Sequence, residues 1–381
     1  MVLGIKVTFE GWKHSWISFK KFGLTQMAKN ERLHKLCKKL DALSADSILL
    51  SIPANITYLT KYPSRDSYFL VSRKENIYFT DSRYLEEAQK ALREIAVVRK
   101  VNGSVFALIA DSCKELKLTR IAFEERHLPY AEYNRIRKEL AGKARLIPAH
   151  GVVEELRQIK EASEIAKIRK AIKITQKALK HIKRFIKPGV TEIEIVAELE
   201  RFIRYFGATN SAFDIIVASG PNSSLPHHIS GSRKIRNNEL VLIDLGIDYL
   251  GYKSDLTRVF FLGKIKVLLR QIHSVVAGAQ RMAIKEIKPG ISAGKIDSVG
   301  RQYIEKHGFA QFFGHSLGHG VGLEVHEKPS VSVGGKCILE PGMVFTVEPG
   351  VYLPGKFGVR IEDMVLVTET GVKVLTASRN N

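Results

Sequence analysis

The sequence predicts an α/β (α+β) protein in two parts: a small N-terminal α/β domain over residues 27–150 and a larger domain over residues 151–377 made of two similar halves. Three observations predict it. Short apolar strands alternate with helical patterns through the first 150 residues. The 381-residue length exceeds what one ordinary core serves. A six-residue motif in the larger part returns 101 residues later.

In the small domain, Ser47–Ile52 reads as a strand, and Tyr68–Val71 and Ile77–Thr80 read as a pair around the polar turn Arg73-Lys-Glu-Asn76. Asp81 is a plausible cap for a helix running to Leu92. Arg120–Phe123 is a further strand, and Pro129–Leu140 a helix. This alternation predicts a mixed sheet flanked by helices. A long helix is expected near Val153–Ile186, where Ile165, Ile168, Ile172, Leu179, Ile182 and Ile186 recur at helical spacing. Lys187-Pro188-Gly189 ends it.

The repeat pairs Ile186-Lys-Pro-Gly-Val-Thr191 with Ile287-Lys-Pro-Gly-Ile-Ser292, and Gly207 with Gly308. In each copy a helix stops at Pro-Gly, Thr or Ser caps the next helix, and glycine closes that one. Two halves of about 100 residues facing each other follow from this repeat, within the usual size of a structural unit.

Composition narrows the function classes. A hydrophobic fraction of 45% fits a globular chain rather than a disordered one. Cys37, Cys113 and Cys337 form neither a disulfide framework nor a CxxC site, which predicts reduced thiols and a cytoplasmic setting. The formal net charge of +21 falls almost equally on residues 1–150 and on the remainder, with no basic run interleaved with aromatics. That spread argues against nucleic acid as a partner. No stretch has the ~20 apolar residues of a membrane span, so no membrane partner is expected. Residues 1–26 lack periodicity and a secretory apolar core. They read as an extension or a mis-called start, with Met27 opening a helical pattern.

Each half ends in a hairpin that carries two acids. In the first, Leu240-Val-Leu-Ile-Asp244 leads through Asp248-Tyr-Leu-Gly251 to Ser254-Asp255-Leu-Thr-Arg-Val-Phe-Phe261. A turn at Tyr249-Leu250 places Asp244 directly opposite Asp255. In the second, Met343-Val-Phe-Thr-Val-Glu348 and Gly358-Val-Arg-Ile-Glu362 close around Gly355, which places Glu348 opposite Glu362. Like charges directly opposite on a strand pair are destabilising. Two such pairs in apolar strands call for cations, and the spacing permits a two-metal site. Between the hairpins, His315, His319 and His326 crowd into twelve residues with Gly318, Gly320 and Gly322. Glycine on both sides of His319, allowing close approach and unusual φ, makes it the best-placed imidazole ligand. Pro226-His227-His228 adds two more histidines.

These residues resemble the pita-bread metallopeptidases, in the branch containing Xaa-Pro dipeptidase (prolidase) and aminopeptidase P. The motifs are Asp244-Leu-Gly, Ser254-Asp255-Leu-Thr-Arg258, Gly318-His319-Gly-Val-Gly322, Val347-Glu348-Pro-Gly350 and Val359-Arg-Ile-Glu362-Asp363. In residues 27–150 and the following link, Asn55-Ile-Thr-Tyr-Leu-Thr60, Thr80-Asp-Ser-Arg-Tyr84 and Leu156-Arg-Gln-Ile-Lys160 carry the likeness further. The resemblance implies a pseudo-two-fold pita-bread catalytic domain and a metal-dependent exopeptidase. Its expected substrate is a small peptide with proline second, a dipeptide or longer, cleaved by attack of a metal-bridging hydroxide. It implies two divalent ions held by Asp244, Asp255, His319, Glu348 and Glu362, with Asp255 and Glu362 bridging. The donor set favours Mn²⁺, Co²⁺, Fe²⁺ or Zn²⁺ over soft metals without choosing among them, and the resemblance puts Mn²⁺ or Co²⁺ foremost. Glu348 would carry the proton, and His227 and His326 would contact substrate and stabilise the transition state. His315 and Arg360 would stand on the substrate side or behind the ligands. A homodimer is also implied. Where relatives often have Gly, this chain has His228, expected to narrow or recharge the substrate entrance. Methionine aminopeptidase shares the five ligands without the extra N-terminal domain. A non-catalytic binding homologue is the remaining alternative.

Overall fold

A computed structural model describes residues 30–377. The readings of residues 1–26 and of Met27 as a start lie outside the described residues. The chain divides into two compact units between Leu156 and Arg157.

The first unit is a six-stranded mixed sheet with helices. Its strands are β1 (Ser47–Leu50), β2 (Tyr68–Ser72), β3 (Ile77–Thr80), β4 (Val97–Lys100), β5 (Arg120–Glu124) and β6 (Arg145–Ala149), in the order β4-β3-β2-β1-β5-β6. β1–β2 and β2–β3 are antiparallel, and the remaining neighbours are parallel. Helix α1 (Glu31–Ala42) opens on Asn30, whose side chain accepts from the backbone N–H of Arg32 and Leu33. Helices α2 (Pro53–Thr60), α3 (Leu85–Leu92), α4 (Val105–Glu115) and α5 (Tyr130–Leu140) complete the unit. Leu49, Leu70, Ile77, Phe79, Ile109 and Ile136 share its core. The Asp81 cap is corrected: α3 starts after Tyr84, and Asp81 instead accepts from the backbone N–H and guanidinium of Arg83. A local Asp–Arg turn competes there with helix initiation.

The single long helix expected near Val153–Ile186 is two. Helix α6 (Val152–Arg157) stops in a turn at Gln158, Ile159 forms an isolated bridge, and α7 (Ala162–Ile182) begins after Glu161, whose backbone is extended. The break has tertiary causes. Ile159 bridges Met343, Lys160 N–H donates to the Gly342 carbonyl at 3.0 Å, and Glu161 opens α7 with a capping box closed by Glu164.

The second unit contains the repeat. Helices α8 (Glu192–Tyr205) and α10 (Ala293–Lys306) have equal lengths and begin at Thr191 and Ser292, whose hydroxyls cap the third residue on. Gly207 and Gly308 follow with φ of +91° and +82°. Helix α9 (Val267–Glu286) stands in the second half where α7 stands in the first. Strands β8 (Ile216–Ser219), β9 (Leu240–Asp244) and β12 (Thr257–Phe261) form one antiparallel sheet in the order β12-β9-β8. Its counterpart runs β18-β15-β13, where β13 is Gly318–Gly320, β15 Val344–Val347 and β18 Asp363–Val367, extended by β14 (Glu327–Val331) and β19 (Val372–Val374). Smaller ribbons are β7 (Asn210–Ser211) with β10 (Ile247–Tyr249) and β11 (Tyr252–Lys253), and β16 (Gly350–Leu353) with β17 (Phe357–Arg360). Alternation along β9 serves two cores: Leu240 and Leu242 join one, Val241 and Ile243 the other. A strand buried on both faces is a rigid mount for the acid at its end. Among the described residues, no helix is long and apolar enough to cross a membrane, and all three cysteines are free thiols.

Candidate metal centre

The first hairpin turns at Leu250-Gly251, with φ of +51° and +85°. Asp248 pairs with Lys253 and Tyr249 with Tyr252 across it. This is the two-residue turn whose twist suits a tight hairpin. It lies one residue beyond the expected turn, so the expected register is corrected. Asp244 faces Thr257, not Asp255. Asp255 lies across from Gly246, flanked by the Leu245 N–H to Leu256 carbonyl and Ser254 N–H to Ile247 carbonyl bonds. A Cβ at Gly246 would collide with the Ser254 carbonyl and the Phe213 ring. The second hairpin keeps its expected register. Gly350 pairs with Arg360 on one side and Val347 with Asp363 on the other, which sets Glu348 against Glu362.

All five expected ligands converge. Asp244 ends β9, Asp255 precedes β12, His319 sits in the middle of β13, Glu348 follows β15, and Glu362 lies between β17 and β18. Donor atoms of Asp255, His319 and Glu362 lie within 4.8 Å of one another. His319 Nε2 is 3.2 Å from Glu348 Oε1 and 3.7 Å from Asp255 Oδ2. The ring's Nδ1 faces the Gly320 carbonyl at 3.2 Å, a contact that holds a proton on Nδ1 and would leave Nε2 free to donate its lone pair once an ion displaces the proton it shares with Glu348. The glycines around His319 serve close approach rather than unusual φ. A Cβ at Gly318 would collide with the Thr346 carbonyl, and one at Gly320 with the Lys328 carbonyl. The β13–β14 register shifts between His319 and Gly320, a bulge that re-aims the side chain.

The electrostatics fit a cation. Asp244 Oδ1, Asp255 Oδ1 and Glu362 Oε1 are buried without a hydrogen-bond partner. Such oxygens carry their full desolvation cost unless something positive meets them. Burial, then the Glu362, Asp244 and Glu348 charges, push the Asp255 carboxyl well above its ordinary range. Burial, then Glu348 and Asp244, do the same to Glu362. Burial also works to raise Glu348, but the hydrogen bond and charge of His319 and the charge of Arg360 bring it below the ordinary value. Carboxylates and one imidazole at such spacing suit borderline divalent ions.

Behind the acids lies a polar ring that the sequence reading only partly anticipated. Arg360 Nη2 donates to Asp244 Oδ2 at 2.6 Å, Nη1 to the Tyr352 hydroxyl at 2.9 Å, and Nε to Thr257 Oγ1 at 3.1 Å. The Thr257 hydroxyl donates to Glu362 Oε2 at 2.7 Å. Thr346 donates to Glu348 Oε1 at 3.0 Å and accepts from the His319 N–H at 3.1 Å. Thr257, Thr346 and Tyr352 were missed: nothing in their local sequence marks them, although Thr257 occupies the repeat position of Glu362.

The remaining histidines separate. The His326 ring lies 4.2 Å from that of His319, centroid to centroid, and burial and the His319 charge lower its pKa. His315 turns Nε2 to the Tyr352 hydroxyl at 3.0 Å and Nδ1 to the Ser316 carbonyl at 2.8 Å, and so reaches Arg360 through Tyr352. His227 is exposed and close enough to act by charge on both His315 and His326. His228, expected to narrow or recharge the entrance, is part of an internal ion pair. Its Nε2 is held 2.8 Å from Glu192, a fully buried carboxylate that also binds the Ser219 hydroxyl and the Asn222 amide.

The chain is similar to known proteins over almost all of its described length. Residues 166–369 match the model of metallopeptidase family M24, and residues 32–159 that of the creatinase/prolidase N-terminal domain. The Xaa-Pro dipeptidase of Pyrococcus furiosus is 38% identical over 348 residues, covering 91% of this chain and 97% of that protein. The structure of an Xaa-Pro dipeptidase from Bacillus anthracis superposes with a TM-score of 0.88 at 40% identity, covering 92% of this chain and 98% of the other. An X-Pro aminopeptidase from Thermotoga maritima gives a TM-score of 0.81 at 37% identity, covering 90% and 99%.

Proposed function

The chain belongs to metallopeptidase family M24 and is a metal-dependent peptidase, and from that premise we propose that it hydrolyses the bond between an N-terminal residue and a following proline. The observation that carries the reading is the cluster of Asp244, Asp255, His319, Glu348 and Glu362, in which three carboxylate oxygens are buried without partners. The proline specificity rests on the relatives, two of which are named for Xaa-Pro dipeptides and one for X-Pro aminopeptidase activity.

Asp255 and Glu362 would hold two divalent ions jointly, Asp244 would complete one site, and His319 and Glu348 the other. Ions there supply Lewis acidity and a water acidic enough to attack near neutral pH. Glu348 takes the proton of the attacking water and delivers it to the leaving nitrogen. His319, 3.2 Å away, and the Thr346 hydroxyl fix its orientation. His326 and His227 donate to the scissile carbonyl as charge develops on its oxygen. The His326 ring, neutral or charged, has an N–H to donate. Arg360 holds Asp244, Tyr352 and Thr257, and His315 braces Tyr352.

Mn²⁺ or Co²⁺ is the proposed metal, on the family resemblance, from among the divalent ions that the donor set suits. A cytoplasmic setting is proposed on the three free thiols, and a homodimer on the family resemblance. The creatinase/prolidase-type N-terminal domain favours this branch over a methionine aminopeptidase. The test is to load the protein with Mn²⁺ and follow a dipeptide ending in proline and a longer peptide with proline second by mass spectrometry, with a chelated control. Cleavage of the dipeptide alone, lost on chelation, makes it a dipeptidase, and cleavage of the longer peptide an aminopeptidase. Metal bound with neither cleaved ends the proline reading.

A further inference from the structure

Outside the acids and histidines, the second unit buries another ionic cluster beside the site. Arg157, the last residue of α6, and Lys160, from the link before α7, reach Glu327, the residue after His326. Their side chains are 2% and 1% exposed, and that of Glu327 is 3% exposed. Lys160 Nζ lies 2.7 Å from Glu327 Oε1, Arg157 Nη2 binds Glu327 Oε2, and Arg157 Nη1 lies 2.9 Å from Glu324. We propose that Glu327, gripped by Arg157 and Lys160, is a positioning residue that sets His326 over the reacting bond. The inference rests on the exopeptidase reading above.

The geometry gives the cluster leverage on His326. His319 lies on β13 and His326 immediately precedes β14, so residues 321–326 are a loop with one of these histidines at each end. Glu327 opposes Gly320 across the bulge. The loop folds over the Glu327 carboxylate so closely that a Cβ at Gly322 would collide with it. Gly322 is tied at its own backbone, its N–H to the Glu324 carbonyl at 3.0 Å and its carbonyl to the Lys253 N–H at 2.8 Å. The cations are anchored independently, through the Ile159–Met343 bridge and the Lys160 N–H to the Gly342 carbonyl. The carboxylate therefore joins the His326 backbone to the base of β15, the strand that leads to Glu348.

The choice of charge is informative. Desolvating three ions costs free energy that well-packed apolar side chains of similar volume would not cost. Two cations pulling on the two oxygens of one carboxylate define a single placement of the attached backbone. Apolar packing tolerates small slides, and an error of about 1 Å costs a catalytic group ~10²-fold. No other role for the cluster is needed: Arg157, Lys160 and Glu327 are too buried to meet a substrate directly.

The test uses Lys160→Met, which removes one grip, and Gly322→Ala, which pushes the carboxylate off its seat while keeping every charge. Each is made alone and on a His326→Ala background, in the metal-loaded protein. Bound metal, melting temperature, kcat and KM for an Xaa-Pro dipeptide are measured, with hydrogen exchange of residues 321–327. Positioning predicts a fall in kcat of about tenfold or more, KM within about twofold and metal content unchanged. On the His326→Ala background the same changes cost less than about twofold. Equal losses on both backgrounds, or an unchanged kcat, overturn the proposal. If the wild-type protein itself cleaves no Xaa-Pro peptide, the exopeptidase reading falls and exchange alone judges the clamp. Faster exchange of residues 321–327 in the variants upholds it, and unchanged exchange overturns it.

Discussion

The two halves of the second unit are one scaffold put to two uses. In each, a capped helix, a closing glycine and a three-stranded sheet lead to an acid at the end of the central strand: Asp244 in the first, Glu348 in the second. The residue opposite that acid differs. Glu348 faces Glu362, whereas Asp244 faces Thr257, and the second acid of the first half, Asp255, sits two residues closer to its turn. In the second half the place matching Asp255 is held by Arg360. The exchange makes the site asymmetric but closed. Arg360 crosses to Asp244, the Thr257 hydroxyl crosses to Glu362, and each half completes the other. Duplication accounts for the framework, and the exchanged positions account for the chemistry.

The largest effects should come from the acids placed at the centre. Asp255→Asn and Glu362→Gln each remove a charge from the group that converges on His319. Both should lower kcat by about 10³-fold or more, a loss of ~4 kcal/mol of transition-state stabilisation. Steady-state kinetics with metal analysis checks this, and activity within tenfold of wild type in either variant would break the idea that both halves supply shared ligands.

Next in size are the exchanged positions. Arg360→Ala leaves Asp244 buried without its cation and should cost about 3–5 kcal/mol of stability in chelator. Metal restores part of it. Denaturant unfolding with and without metal measures both. Thr257→Val deletes a hydroxyl that receives from Arg360 and donates to Glu362. It should cost about 1–2 kcal/mol and weaken metal binding. Wild-type stability and affinity in the Thr257→Val protein would make the crossing bonds incidental.

The titration of the acids offers a third comparison. Asp255 in the first half and Glu362 in the second are both raised in the metal-free protein by burial first and neighbouring carboxylates second. A raised folded-state value stabilises below the unfolded value, near ~4, and that contribution is lost as pH climbs through the folded one. Glu348, held low largely through His319, contributes in the opposite sense. With two raised acids against one lowered, the fall in melting temperature caused by chelator should grow as pH rises above the ordinary carboxylate range. Calorimetry across that interval checks it, and a fall independent of pH would contradict the carboxylate crowding.

The smallest effect is expected at His228. Its ring serves the buried Glu192, so His228→Gly should change kcat and KM by less than about threefold while costing ~1–2 kcal/mol of stability. A large shift in substrate range would instead return His228 to the entrance.

Much of this cluster was legible in the sequence because the acids and His319 travel with local punctuation: Gly beside His319, Pro-Gly after Glu348, and a repeat that frames both hairpins. The second hairpin's register was readable because Gly355 marks its turn, at a φ of +69°. The first was misread because its turn places Leu250 at positive φ, a conformation that a leucine does not advertise. The break between α6 and α7 was hidden for a different reason. Residues 158–160 have acceptable helical character, and their pairing with Gly342 and Met343, together with the Glu161 capping box, pulls them out. Thr257, Thr346 and Tyr352 gain their roles entirely from partners distant in sequence, which no local pattern reveals.

The central claim is that the two halves together build one centre for two ions. Equilibrium dialysis of the metal-stripped protein against Mn²⁺, with Asp244→Asn alongside, tests it most directly. Two ions per wild-type chain and one tight ion in the variant are expected, with hydrolysis of an Xaa-Pro dipeptide appearing only as the second ion binds. One ion or none in a fully active wild-type protein would contradict it.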